Sequence, residues 1–240
     1  MNRPLIINFK NYGEAAAGRT VELAADAQDV AERLGIEIVL APPQPALALV
    51  CKSVGKIQVV CQHVDDAQLG ATTGFFVPEV AKSYGAAGSL INHSEHRIAM
   101  PAIKSLVEQM RRLSMVSIVC AQTPDEVSVI SDFRPDFIAI EPPELIGSGR
   151  AVSKENPAII TDSIKAADGK AKVICGAGIT DKGDVAKAIE LGSHGILAAS
   201  GIVKARSWPE KIAELASGMH LLKSGKSTPF VLSQRAYITV

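Results

Sequence analysis

An excess of either charge is what this sequence most clearly lacks: 25 Lys and Arg stand against 25 Asp and Glu in 240 residues. That balance argues against nucleic acid or an anionic membrane as the main partner, while leaving room for a local basic site. No apolar run approaches the length of a membrane span, so no membrane association is expected. The N-terminus, Met1-Asn2-Arg3-Pro4, lacks the apolar core of a signal peptide, and the expectation is a cytoplasmic chain that begins at residue 1. Cysteine is sparse too. Cys51, Cys61, Cys120 and Cys175 have no close paired spacing, and three of them end apolar runs, as reduced, buried thiols of a cytosolic protein do. Metal-ligand spacing is equally absent: His63, His93, His96 and His194 form no H-x-x-x-H pair, so neither metal nor cofactor is expected.

What the chain does have is alternation. With 47% hydrophobic and 21% charged residues, it is long enough for one well-packed domain and need not be two. Apolar runs at Pro4–Asn8, Ile36–Ala41, Ile57–Cys61, Ser89–Ile91, Val116–Cys120, Phe137–Ile140, Lys172–Cys175 and Gly195–Ala198 read as strands. Between and after them, Glu14–Leu34, Pro43–Val54, Pro78–Tyr84, Ala102–Leu113, Pro124–Ser131, Asn156–Ala167, Lys182–Leu191 and Trp208–Ser217 read as helices, the first stopped by Gly35. Strand and helix in strict succession call for a single closed parallel (β/α)8 barrel over residues 1–218. An open doubly wound sheet would normally carry G-x-G-x-x-G after its first strand, where N-F-K-N-Y-G stands instead. Residues 219–240 form a C-terminal extension without an assigned role: a linker-like stretch, Lys223–Pro229, then the apolar Phe230–Val240.

In such barrels the chemistry lies where strands end. The first strand ends in Asn8-Phe9-Lys10, and a lysine there either reaches a polar site or lies along the rim with its charge in water. The fourth ends in Asn92-His93-Ser94-Glu95-His96-Arg97. Ser94 suits a helix N-cap, which would set His93 beside the positive end of a helix and keep its imidazole neutral; a structural histidine is the other reading. The sixth delivers Glu141, followed by Pro142-Pro143, Leu145-Ile146 and Gly147-Ser148-Gly149. Those are the parts of a catalytic base under a hinged lid, although a surface loop with an exposed glutamate has the same composition. Small residues after the seventh and eighth strands, Gly176-Ala177-Gly178 and Ala199-Ser200-Gly201, let backbone N–H groups close on a phosphate. A lysine, a neutral histidine, a carboxylate and a phosphate cradle at one mouth suit proton abstraction beside the carbonyl of a small phosphorylated sugar.

In order and in barrel position, N-F-K, N-H-S-E-H-R and I-E-P-P-E-L-I-G-S-G resemble the triosephosphate isomerase family over roughly residues 4–217. The resemblance implies interconversion of D-glyceraldehyde 3-phosphate and dihydroxyacetone phosphate, the step shared by glycolysis and gluconeogenesis. It implies Glu141 as base, His93 as electrophile and Lys10 as stabiliser of developing negative charge. It further implies substrate contacts from Asn8, Phe9 and Lys10, phosphate contacts from Ile146, Gly147, Gly178, Ala199 and Ser200, and Glu95 paired with Lys10. The sequence departs from the familiar bacterial and eukaryotic pattern: Pro143-Glu144 replaces a Pro-Trp in the lid, C-G-A-G-I replaces Y-G-G-S, and A-A-S-G replaces G-G-A. In these departures, and in its short length, it resembles the compact archaeal branch. That branch implies a homo-oligomer, a dimer at least and a tetramer by analogy, with the long polar loop Asp65–Gly74 reaching a neighbouring subunit. Two other functions fit a phosphate-binding barrel. A tryptophan- or thiamine-pathway synthase would need a wide apolar pocket, and a silent scaffold would not be expected to keep Lys10, His93 and Glu141 together.

Overall fold

The computed structural model describes residues 3–145 and 151–219. Eight strands, β1 (Leu5–Asn8), β2 (Ile38–Ala41), β3 (Gln58–Cys61), β4 (Gly88–Ile91), β5 (Val116–Ala121), β6 (Phe137–Ile140), β7 (Lys172–Cys175) and β8 (Ile196–Ala198), pair in chain order as a closed barrel. All pairs are parallel, and the ring shuts where Leu5, Ile6 and Ile7 meet Ile196, Leu197 and Ala198. Parallel neighbours require a crossover. The crossovers carry helices α1 (Arg19–Leu34), α2 (Leu47–Ser53), α3 (Pro78–Ser83), α4 (Met100–Arg112), α5 (Pro124–Ser131), α6 (Val152–Glu155), α7 (Pro157–Ala167) and α8 (Lys182–Glu190), and α9 (Ser200–Val203) and α10 (Trp208–Met219) follow β8.

Strands buried on both faces explain why the sequence shows apolar runs instead of polar alternation. Side chains of successive residues still point to opposite faces. Ile6, Val39, Leu90, Ile118, Phe137, Ile174 and Leu197 fill the barrel interior with Cys120 and Ala139. Leu5, Ile7, Leu40, Val119, Ile138, Ile140 and Val173 face outwards and pack beneath the helices. Carried past the strand ends, the same alternation aims Asn8 and Lys10, Glu141, Gly176 and Ala199 at the mouth, in line with Ile6, Ala139, Ile174 and Leu197. Parity does not extend to His93, which follows the outward Ile91 and reaches the cleft past Asn92 at φ +62°.

The elements differ from the sequence reading in several places. The first helix does not run from Glu14. A 3₁₀ turn (Gly13–Ala15) comes first, Ala17 takes φ +50°, and the Thr20 hydroxyl donates to the Ala15 carbonyl, so α1 starts at Arg19. Pro43–Val54 begins as a 3₁₀ turn (Gln44–Ala46) before α2. No helix starts at Ser94; α4 begins at Met100 with Pro101 in its first turn, and Ser94 and Glu95 form a turn in which the His96 N–H bonds to the His93 carbonyl. The four-residue helices α6 and α9 were not anticipated, since four residues are too few to display a helical period. At the C-terminal side α10 reaches Met219, and the extension 220–240 lies outside the described residues.

Candidate active site

One cleft at the strand ends gathers Asn8, Lys10, His93 and Glu141 with Gly176–Thr180 and Leu197–Gly201. Asn8, Lys10, His93, Glu141, Gly178, Ala199 and Ser200, all expected from the sequence, therefore share its wall. One residue expected to contact the substrate does not line it. Phe9 is fully buried in the outer layer, because parity turns it away from the mouth between Asn8 and Lys10. Glu95 stands behind Lys10, 2.7 Å from Oε1 to Nζ. Ile146 and Gly147 lie outside the described residues.

Lys10 and Asn92 both have left-handed backbones, φ +48° and +62°, which L-residues adopt at a cost of about 1 kcal/mol each. Side chains hold each in place. Asn8 Oδ1 accepts from the Lys10 N–H at 2.9 Å, and Gln62 Nε2 donates to the Lys10 carbonyl at 3.0 Å. Asn92 Nδ2 donates to the Cys120 carbonyl and its Oδ1 accepts from the Ile98 N–H, both at 3.0 Å. The asparagine in each motif, N-F-K and N-H-S-E, thus has a mechanical reason to precede the charged or imidazole group.

His93 is 6% exposed. Its Nδ1 accepts a hydrogen bond from the Glu95 N–H at 3.2 Å, which a protonated nitrogen cannot do, so the proton of the neutral ring sits on Nε2. The ring is therefore oriented by a backbone donor two residues on, and not by the helix start expected at Ser94. Nε2 faces Glu141 Oε1 at 3.6 Å. Glu141 itself is 3% exposed, and its Oε2 has no hydrogen-bond partner. Burial pushes its carboxyl above the ordinary range, against the pull of His93, a Cys120 hydrogen bond and Lys10. A Cβ on Gly176 would come 2.6 Å from Glu141 Cγ, so only glycine leaves this carboxylate its room.

The far side of the cleft is backbone. Gly178 has φ +72°, and the first N–H groups of α9, those of Ser200 and Gly201, belong to the donors that every helix start leaves without an internal partner. Sequence reading missed how this wall is supported: Asp184, 1% exposed, accepts from the Thr180 N–H and hydroxyl and from the Asp181 N–H. A second groove opens beside Lys10 and His93, lined by Gln44, His63, Asp65, Phe76, Glu95 and His96. There His63 and His96 stack with ring centroids 3.8 Å apart, a contact that sequence spacing does not announce. Among the described residues no group of three or more His, Cys, Asp or Glu is placed to hold a metal ion.

This arrangement brings a buried carboxylate, an imidazole, a lysine ammonium and the first N–H groups of a short helix to one cleft. The family model described as "Triosephosphate isomerase" matches residues 4–216. A triosephosphate isomerase of Cenarchaeum symbiosum (strain A) is 52% identical over 218 residues, covering 90% of this chain and 97% of its own. One from Caldivirga maquilingensis is 45% identical over 215 residues, 88% of this chain and 95% of its own. One from Methanothermus fervidus is 40% identical over 223 residues, 91% of this chain and 100% of its own.

Proposed function

This chain belongs to the triosephosphate isomerase family, and we propose that Glu141, His93 and Lys10 divide the proton chemistry of the isomerisation between them. The reaction interconverts D-glyceraldehyde 3-phosphate and dihydroxyacetone phosphate. Glu141 removes the proton from the carbon beside the carbonyl and returns it to the neighbouring carbon. His93 donates from Nε2 to the carbonyl oxygen as negative charge builds there, and begins neutral, so it is a donor matched to an enediolate. Lys10 stabilises the same charge, with Glu95 holding its ammonium in place. Asn8 contacts the substrate, and the backbone of Gly178, Ala199 and Ser200 receives the phosphate, joined by Ile146 and Gly147 of the loop after β6.

The observation that carries this reading is the placement of Glu141. A carboxylate enclosed at 3% exposure, with one oxygen unpaired, lies 3.6 Å from a neutral imidazole on a cleft shared with Lys10. Such a group is costly to a fold and useful to a base. Glu144, three residues on in the turn Pro143–Leu145, is exposed. Glu141→Gln should lower kcat on the order of a hundredfold to ten-thousandfold, and Glu144→Gln far less, in an isomerase assay with no added metal or cofactor and with both variants folded by circular dichroism. An active Glu141→Gln would sink the assignment.

The catalytic unit is the barrel through the end of α10 at Met219, one residue past the boundary expected at 218. We further propose a homo-oligomer, a dimer at least, with a tetramer as its fuller form. Support comes from the loop Asp65–Gly74 and its flank, where Leu69 is 65% and Phe75 57% exposed beside the second groove. The cytoplasm suits its four free cysteines, three of them buried, and no helix among the described residues is long and apolar enough to cross a membrane.

A further inference from the structure

The loop Gly176–Thr180, which forms the anion side of the cleft, is assembled on two carboxylates. Asp184 accepts from the Thr180 N–H and hydroxyl at 2.9 Å and from the Asp181 N–H at 3.1 Å. Asp181 caps α8 in return, accepting the Asp184 N–H at 2.8 Å. Burial pushes the Asp184 carboxyl up, but hydrogen bonds from Lys154, Thr180 and Asp181 outweigh it and hold the group below the usual range, so it is ionised at neutral pH. The loop therefore faces a phosphate on one side while wrapping two negative charges on the other. Unrelieved, that pair would repel the ligand the loop is shaped to receive.

One cation is placed to relieve it. Lys154, on α6, sits with Nζ 2.6 Å from Asp184 Oδ1 and 3.3 Å from Asp181 Oδ2. Its two preceding residues bind the same region: the Val152 N–H donates to the Ala177 carbonyl at 3.3 Å, and the Ser153 hydroxyl to the Asp184 carbonyl at 3.1 Å. Lys211, which donates to the Thr180 carbonyl at 3.1 Å, is paired with Glu214 at 2.7 Å, so its charge is already offset. Lys154 does not line the cleft.

We propose that Lys154 is a positioning residue for substrate phosphate, cancelling the charge of Asp181 and Asp184 so that a carboxylate-built loop can accept an anion. The proposal rests on the phosphate reading of this wall given above. The test measures inorganic phosphate as a competitive inhibitor, together with turnover of glyceraldehyde 3-phosphate and of unphosphorylated D-glyceraldehyde. In Lys154→Met the inhibition constant for phosphate should rise, and kcat/KM for the phosphorylated substrate should fall, by roughly twofold to fivefold, the range of a partly solvated ion pair. Turnover of glyceraldehyde should stay as it is in the unaltered enzyme. Lys154→Arg should keep the original values. Adding Asp181→Asn to Lys154→Met should recover most of the phosphate affinity, since asparagine caps a helix as well as aspartate but carries no charge. Equal losses on both aldehydes, or no recovery with Asp181→Asn, would leave Lys154 a merely structural tether and overturn the proposal. If phosphate inhibits the unaltered enzyme and Lys154→Met alike, the proposal alone falls; if phosphate does not inhibit the unaltered enzyme, the anion wall falls with it.

Discussion

At the scale of the residue, Glu141 is held in tension with its surroundings. Burial raises its carboxyl above the value of an unfolded chain, with His93, Cys120 and Lys10 pulling the other way. A raised carboxyl favours the native state below the unfolded-state value, and that contribution is lost as pH rises through the native value. Glu141→Gln removes the ionisation. Its thermal stability relative to the unaltered protein should therefore increase as pH rises above the ordinary carboxylate range. A stability difference that does not change with pH, or changes in the opposite sense, would contradict the environment described for this side chain. Glu141 was legible in the sequence because a strand, a carboxylate and a Pro-Pro pair stand in one line. The orientation of His93 was not legible at all. Ser94 has the composition of a helix cap, yet the chain makes a turn there, and the Glu95 N–H that fixes the tautomer depends on turn geometry that no residue pattern encodes. Phe9 shows the reverse: strand parity, available in the sequence, turns it outwards although the N-F-K motif suggested contact.

At the scale of the element, the apolar runs and helical periods located every strand and the longer helices, because burial on two faces or one stripe leaves a repeat to read. The start of α1 was hidden since Ala15, Ala16 and Ala17 are good helix formers, and tertiary contacts, including the Thr20 hydroxyl, decide against them. Its end was plain. Gly35 closes α1 at φ +63°, with the Ile36 N–H returning to the Ala31 carbonyl at 3.2 Å. A Cβ there meets nothing within 4 Å, so backbone conformation is the whole cost of a substitution. Gly35→Ala should destabilise by about 1 kcal/mol and lower Tm by roughly 2–4 °C for a chain of this size. Isomerase activity should be unchanged, because Gly35 precedes β2 at the barrel end away from the mouth. A loss of kcat without a fall in Tm would show that α1 communicates with the cleft in a way its packing does not suggest.

At the scale of the whole molecule, the exposed apolar side chains Leu69 and Phe75 stand beside a groove that shares Asn8, Lys10 and His93 with the cleft. If a second copy covers them, changing both to aspartate should give a monomer by light scattering at micromolar concentration, with activity reduced together with mass. An unaltered protein that is monomeric and fully active would refute the oligomer. The closure of the barrel has a consequence in time. β1 leaves the ribosome first, but its second neighbour, β8, is among the last segments made. A contact between such distant parts of a chain carries a large loop-closure cost and forms late in folding. Lys10 follows β1, and Ala199 and Ser200 follow β8, so the cation and part of the anion wall meet only at that last pairing. A chain folded through β7 would already own Lys10, His93 and Glu141 and still lack the part of the anion wall that follows β8. In refolding, regained helical signal should therefore run ahead of regained turnover, and the interval between them times the joining of the first strand to the last.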